Sequence, residues 1–345
     1  MDIQLAARAA LAAERLPPGS VDRDSLLRAG STELWLQAAE APSLPLVSPG
    51  GDQAGQAPFA CATSAVGWHD SQYPEGLRHL ACPPPALFVR GSEVALPPAQ
   101  RCVAVIGSRR CTELGRSMAR ELSAGLVGEG LVVVSGLALG IDAAAHEGAL
   151  DAGGSTLAVL ASAADCPTPH RNRGLAAEIL EQGGWLVSER PPGATVRAWD
   201  FPRRNRLVAA LVSVVVVVEA GLRSGTLSTV RHALDLGVEV AAVPGPATSP
   251  ASAGAHELLR RGAHLVTRVQ DVLELVGVPA VPAEAGSWRG DEGAVMAGLP
   301  GACGSIDSWL RASALPRERA RAALHRLLLG GALQRLAGGR IARVL

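Results

Sequence analysis

The chain has 345 residues, enough for two or three domains at roughly 100–200 residues each, and its 32 basic side chains, all arginine, balance 32 acidic ones. Without lysine there is no amine for Schiff-base or pyridoxal-phosphate chemistry and no P-loop lysine to grip terminal phosphates. At 48% apolar but 3% aromatic, the core has to be built from Leu, Val and Ala. Residues 1–45 read as a small helical module broken at Pro17-Pro18-Gly19 and Gly30, and 47–58 as a linker, which puts the first boundary near residue 60. Asp2, Arg8, Glu14 and Arg15 interrupt any signal-peptide apolar region, and no run of 18 apolar residues exists. The six cysteines contain no C-x-x-C pair. These features predict a soluble, cytoplasmic protein with reduced thiols, no membrane insertion and neither a metal nor a cofactor.

From Arg101 to about Val276 short apolar runs alternate with glycine-rich turns and helical stretches, the rhythm of βαβ units. Strands are expected near 102–106, 131–134, 156–160, 185–188, 213–218, 239–243 and 264–266. The run VSVVVVV (212–218) reads as a central strand buried on both faces. The fold class is α/β: a Rossmann-like, mostly parallel sheet with helices on both faces, over residues 61–278. A linker (279–290) leads to 291–345, where SIDSWLRAS (305–313) and PRERARAALHRLLLGG (316–331) read as two helices. A hairpin turning at Gly338-Gly339 follows, the outline of a winged helix. Residues 301–345 hold eight arginines against Asp307 and Glu318, a net +6, so the rest of the chain carries −6.

Four segments of the sheet region carry candidate chemistry. The first strand opens into GSRRCTELG (107–115), a turn that aims backbone N–H groups and a helix N-terminus at an anion; Arg109 and Thr112 stand where a dinucleotide fingerprint needs glycines. SGLALGIDAAAHEGAL (135–150) repeats the arrangement, with Asp142 in the first helical turn and His146 four residues on. That pair suits either a metal or proton relay or, the favoured reading, a carboxylate bound to the helix start steadying a histidine. WDFPRRNR (199–206) sets Phe201 beside Arg203, Arg204, Asn205 and Arg206, with Trp199 nearby. A ring for base stacking, guanidinium forks for phosphate and an amide for a base edge make single-stranded nucleic-acid chemistry. The competing reading is internal ion pairing to Glu189 or Glu219, which at least one of these arginines is expected to make. In EAGLRSGTLSTVRHAL (219–234), Ser224, Gly225 and Thr226 begin a helix at the carboxyl end of a central strand, where open parallel sheets bind ligands. No nucleophile elbow or paired catalytic carboxylates accompany them.

GSRRCTELG, SGLALGIDAAAHEGAL, FPRRNR, VVVEAGLRSGTLSTVRHAL and AVPGP, in this order and spacing, resemble the DNA-processing protein A (DprA/Smf) family, as does YPEGLRHLACPPPALFVRG (73–91). The resemblance covers roughly residues 65–270, and the flanking helical (SAM or helix-hairpin-helix-like) module and winged helix fit the family's three-part layout. It implies a non-enzymatic, homodimeric single-stranded-DNA-binding protein that protects incoming DNA and helps load the RecA recombinase in natural transformation. Carried over by motif, Gly107, Ser108 and Arg109 contact phosphate, Gly136 lines the groove, and Phe201, Arg203, Asn205 and Arg206 form the DNA pocket; Ser224 and Gly225 complete the set. Leu139 stands where the family commonly has arginine, and Cys166-Pro167 where it has Tyr-Pro. Two alternatives remain: a nucleoside-monophosphate phosphoribohydrolase, although Ser228, Thr229 and Val230 stand where its catalytic carboxylate belongs, and a duplex-DNA regulator using Arg317, Arg319 and Arg321.

Overall fold

Four consecutive valines, Val214–Val217, form a fully buried strand (β7) because branched side chains fill both faces of a pleated ribbon covered by helices. The computed structural model describes residues 63–91, 95–277, 294–295, 303–305, 310, 313, 315–329, 333–336 and 340–343; the helical module expected over 1–60 lies outside these. Contacts between Cα atoms divide the chain into two units at Gly277/Val278.

The first unit contains β1 (Ser64–Gly67), α1 (Glu75–Arg78), β2 (Ala86–Gly91), β3 (Cys102–Ile106), α2 (Glu113–Gly128), β4 (Val132–Ser135), α3 (Ile141–Asp151) and β5 (Thr156–Leu160). Then follow α4 (Arg173–Glu181), β6 (Trp185–Ser188), α5 (Asp200–Ala210), β7, α6 (Thr226–Asp235), β8 (Glu239–Ala242), α7 (Ala253–Arg260), β9 (His264–Leu265) and α8 (Val269–Val276). The sheet order is β1-β2-β6-β5-β4-β3-β7-β8-β9. Its seven expected strands are present within a residue or two and mutually parallel, and helices cover both faces. Alternation along β5 shows the two-sided core: Leu157 and Val159 pack with α1, α5 and α6, while Ala158 and Leu160 pack with α3 and α4. Two antiparallel strands, β1 and β2, extend the β6 edge and were not expected from the sequence. Three of the four residues of β1 and five of the six of β2 are buried, so neither shows the alternation that betrays a strand, and three prolines precede β2.

The chain walks from β3 outward through β4, β5 and β6, returns along α5, and starts the other half at β7 beside β3. The order therefore reverses between β3 and β7, and the turns leaving these strands diverge. This opens a crevice at the carboxyl ends of the strands, where ligands bind to such sheets.

In the second unit the face of α9 (Arg317–Leu329) bearing Ala320, Ala323, Leu324 and Leu327 is buried, at the spacing of one helical stripe. Strands β10 (Cys303–Ser305), β11 (Leu333–Leu336) and β12 (Arg340–Arg343) form an antiparallel sheet in the order β10-β12-β11. Ser305, expected to open a helix, belongs to β10, where it pairs with Arg340. Leu336 pairs with Arg340 across the hairpin; the turn expected at Gly338-Gly339 lies outside the described residues.

Candidate nucleic-acid interface

At the switch point lies a cavity of about 650 Å³. Its walls come from the turn after β3 (Gly107, Ser108, Arg109, Arg110), the turn after β4 (Gly136, Ala138, Asp142), α5 with the residue before its N-cap (Ala198, Phe201, Pro202, Arg204, Asn205, Val208) and the start of α6 (Ser224, Gly225, Thr226, Ser228, Thr229). All four sequence segments singled out for chemistry thus converge on one crevice.

The turns are stitched together by a few strong bonds. Thr112 caps α2, its hydroxyl accepting the Gly115 N–H at 3.1 Å. The Thr112 N–H donates to Glu219 Oε2 at 2.9 Å and its hydroxyl to Glu219 Oε1, while the Ser108 N–H donates to the Glu219 carbonyl at 2.7 Å. Thr226 Oγ1 donates to the Gly107 carbonyl at 3.0 Å, so the β3 and β7 exits form one unit. Gly107 is required here, since a Cβ would lie 2.7 Å from Ile141 Cγ1 and 2.8 Å from the Glu219 carbonyl oxygen.

Asp142 is the internal anion of this arrangement. Its Oδ2 accepts N–H groups from Gly136 (3.2 Å) and Ala138 (3.4 Å). Burial pushes its pKa up against the opposing Arg204 charge and these bonds. In the turn after β3, expected to aim its amides at a phosphate, the Ser108 N–H is already taken by the Glu219 carbonyl, while Gly107, Ser108 and Arg109 line the cavity. Between the two glycines of the second turn, buried Leu137 adopts φ 58°, a left-handed conformation rare outside glycine and asparagine. Its carbonyl accepts the buried Asn172 Nδ2 at 2.8 Å, which holds it there. His146 takes no part in the cavity: its Nδ1 meets Thr156 Oγ1 at 2.8 Å, and that hydroxyl donates to the Val133 carbonyl at 2.6 Å. Burial, helped by Arg204, lowers its pKa to about 3, so it is neutral at physiological pH. Among the described residues no three His, Cys, Asp or Glu side chains come together as a metal site.

The three arginines of FPRRNR part company. Arg204 is buried and aimed inward, donating from Nη1 to the carbonyls of Gly136 (2.8 Å) and Val159. Burial lowers its pKa to about 10, which leaves it charged at neutral pH. Gly136 accommodates it, because a Cβ there would lie 2.4 Å from Arg204 Nη2. Arg203 and Arg206 instead pair with Glu189, Arg203 at 3.2 Å and Arg206 through Nη2 to Oε2, and neither lines the cavity. Glu189 thus takes the internal ion pairs, whereas Glu219 binds Thr112. Asn205 is also committed: its amide donates to Ser228 Oγ at 2.7 Å and Gly225 O at 3.4 Å, and its Oδ1 accepts from Arg204 Nε at 3.2 Å.

Phe201 is half-buried, with the Arg109 guanidinium carbon 5.2 Å from its ring centroid, a cation–π stack at the cavity mouth. Exposed Arg110 stands beside it. Of the residues expected at the site, Gly107, Ser108, Arg109, Gly136, Phe201, Asn205, Ser224 and Gly225 are brought together; Arg203 and Arg206 are not. Arg110, Ala198, Ser228 and Thr229 join them without having been singled out for binding, together with Arg204 and Thr226, which belong to the candidate segments but were not assigned to the DNA pocket. The helical spacing of 201, 204, 205 and 208 was the signal that could have found Arg204 and Val208. Leu139 and Cys166, which depart from the family pattern, lie outside the wall; Cys166 Sγ accepts from Arg173 Nη2 at 3.2 Å.

The family described as DNA recombination-mediator protein A matches residues 64–277. The chain is 50% identical over 194 residues to a DprA-designated protein of Mycobacterium tuberculosis, covering 56% of this chain and 48% of that one, so it spans about half that relative's length. The X-ray structure of DNA processing protein A from Streptococcus pneumoniae superposes with a TM-score of 0.59 at 32% identity, over 79% of this chain and 92% of that one. A Helicobacter pylori DNA processing protein A, whose structure concerns its single-stranded-DNA binding mode, superposes with a TM-score of 0.56 at 30% identity, over 63% and 96%.

Proposed function

This chain belongs to the DNA recombination-mediator protein A family, and from that premise we propose that it binds single-stranded DNA in the switch-point cavity, as a homodimer that protects incoming strands and assists loading of the RecA recombinase. The observation that carries the binding reading is the Arg109–Phe201 stack at the mouth of a cavity with guanidinium and hydroxyl groups in its wall. An unpaired base presents two π faces and a free edge, so a ring flanked by planar cations suits it, whereas a duplex keeps its bases stacked inside. Arg109 and Arg110 supply the attraction for the backbone. The Helicobacter pylori relative, a single-stranded-DNA binder of the same fold, supports the same reading. Dimerisation, RecA loading and a role in transformation rest on kinship with the family.

The test is a binding titration of the full chain with single-stranded and duplex oligonucleotides over a salt series. Single strands are expected to bind more tightly, with log K falling linearly in log salt as counterions are released. Equal affinity for both forms rejects the cavity as the binding site.

The phosphoribohydrolase alternative has one feature in its favour, a buried carboxylate in the cavity wall with a raised pKa, Asp142. Its Oδ2 is taken by two backbone amides of the turn after β4, which makes it a brace for that turn. Release of free base from nucleoside monophosphates would restore the enzyme reading.

A further inference from the structure

The cavity accounts for Phe201 and leaves Trp199 without a role. Trp199 is the N-cap of α5, and its side chain is 62% exposed. Among the exposed large apolar side chains of the described residues, the others are leucines. A single exposed apolar side chain is ordinary on a protein surface, but three observations set this one apart.

The backbone beneath it is fixed. The Arg197 N–H donates to Asp200 Oδ2 at 2.7 Å and the Asp200 N–H to the Arg197 carbonyl at 3.0 Å, while Asp200 is buried with Arg190 at 3.9 Å. The indole also carries a cation: the Arg197 guanidinium carbon lies 5.2 Å from its centroid, the same separation as Arg109 over Phe201. Finally, Ala198, between Arg197 and Trp199, lines the cavity, so the backbone that carries the indole borders it. The same pairing of ring and guanidinium therefore occurs twice around the start of α5, once in the cavity wall and once just outside it.

Resting on the single-stranded-DNA reading above, we propose that Trp199 with Arg197 is a second base-stacking platform, receiving the nucleotide that follows the one held at Phe201. A solvent-facing indole on a fixed backbone has only two side-chain torsions to order when a base stacks on it, and every base offers a π face, so the platform lengthens the site without adding sequence preference. Arg197 supplies a fork for the phosphate between the two bases. The chemistry favours nucleic acid over a protein partner because the residue next to Trp199 in the chain lines the cavity and the charge beside the ring is cationic.

The full chain is titrated with oligothymidylates of increasing length by fluorescence anisotropy. Trp199→Ala is expected to weaken binding by a factor that grows with length to about tenfold, the scale of one stacked base. Trp199→Tyr, which keeps a stacking face, recovers most of the loss, and Phe201→Ala weakens every length alike. If Trp199→Ala binds all lengths like wild type while Phe201→Ala does not, the platform is overturned and the cavity reading stands. If neither variant changes binding, both fall. If Trp199→Ala instead shifts self-association in sedimentation equilibrium with DNA affinity intact, the indole belongs to a protein contact and the platform is likewise rejected. A thermal melt matching wild type is expected, since the replaced ring is exposed.

Discussion

Arg109 and Arg110, on the turn after β3, are exposed at the cavity, whereas Arg203, Arg204 and Arg206, on α5, are half-buried or buried. The first pair has a ring and solvent around it. The second group has Glu189 and backbone carbonyls within reach, and its charge is largely consumed in holding α5 against the sheet. Both groups are equally basic as sequence. Depth and the position of one carboxylate decide which presents charge to a ligand and which serves as a structural fastener, because a buried guanidinium is tolerable only when its donors are taken.

Four substitutions bear on that contrast. Arg204→Ala has the largest expected effect: it removes donors from the Gly136 and Val159 carbonyls and the cation facing Asp142, costing about 3 kcal/mol of stability and lowering Tm by on the order of 10 °C. An unchanged calorimetric melt would break the division between fastener and contact. Phe201→Ala should weaken single-stranded DNA binding by about 1–3 kcal/mol with little change in salt slope. Arg109→Ala should weaken binding and reduce the slope of log K against log salt by about 0.7, the value of one phosphate contact on a single strand. Arg203→Ala is the smallest, about 0–1 kcal/mol in stability, with DNA affinity close to wild type. A loss matching that of Arg109→Ala would return Arg203 to the DNA pocket.

The sequence exposed what depends on local pattern. The β-branched run announced β7, and glycines followed by helical stretches announced the turns after β3, β4 and β7, so the convergence of four segments on one edge could be read in advance. What escaped depends on three-dimensional partners. The antiparallel β1 and β2 lack alternation. Asp142 looked like a helix-start carboxylate, and nothing in one dimension shows that it gathers the amides of Gly136 and Ala138 in the turn before its own helix while facing Arg204. Arg204 differs from Arg203 and Arg206 only in its angle around α5, and Leu137 has no compositional sign of its positive φ.

The neutral His146, sealed between Thr156 and the core, couples folding to protons. Unfolded, its ring titrates near 6.5; folded, near 3. Above pH 6.5 neither state is protonated there, and this contribution to stability is complete. As pH falls toward 3 the unfolded chain takes up a proton that the folded one refuses, so the contribution declines by about 1.4 kcal/mol per pH unit. Asp142, with its raised pKa, works in the opposite sense, so the effect emerges as the difference between the wild-type and His146→Gln stability curves. Acidification should draw those curves together or make them cross, and parallel curves would mean that the ring carries its proton inside the fold.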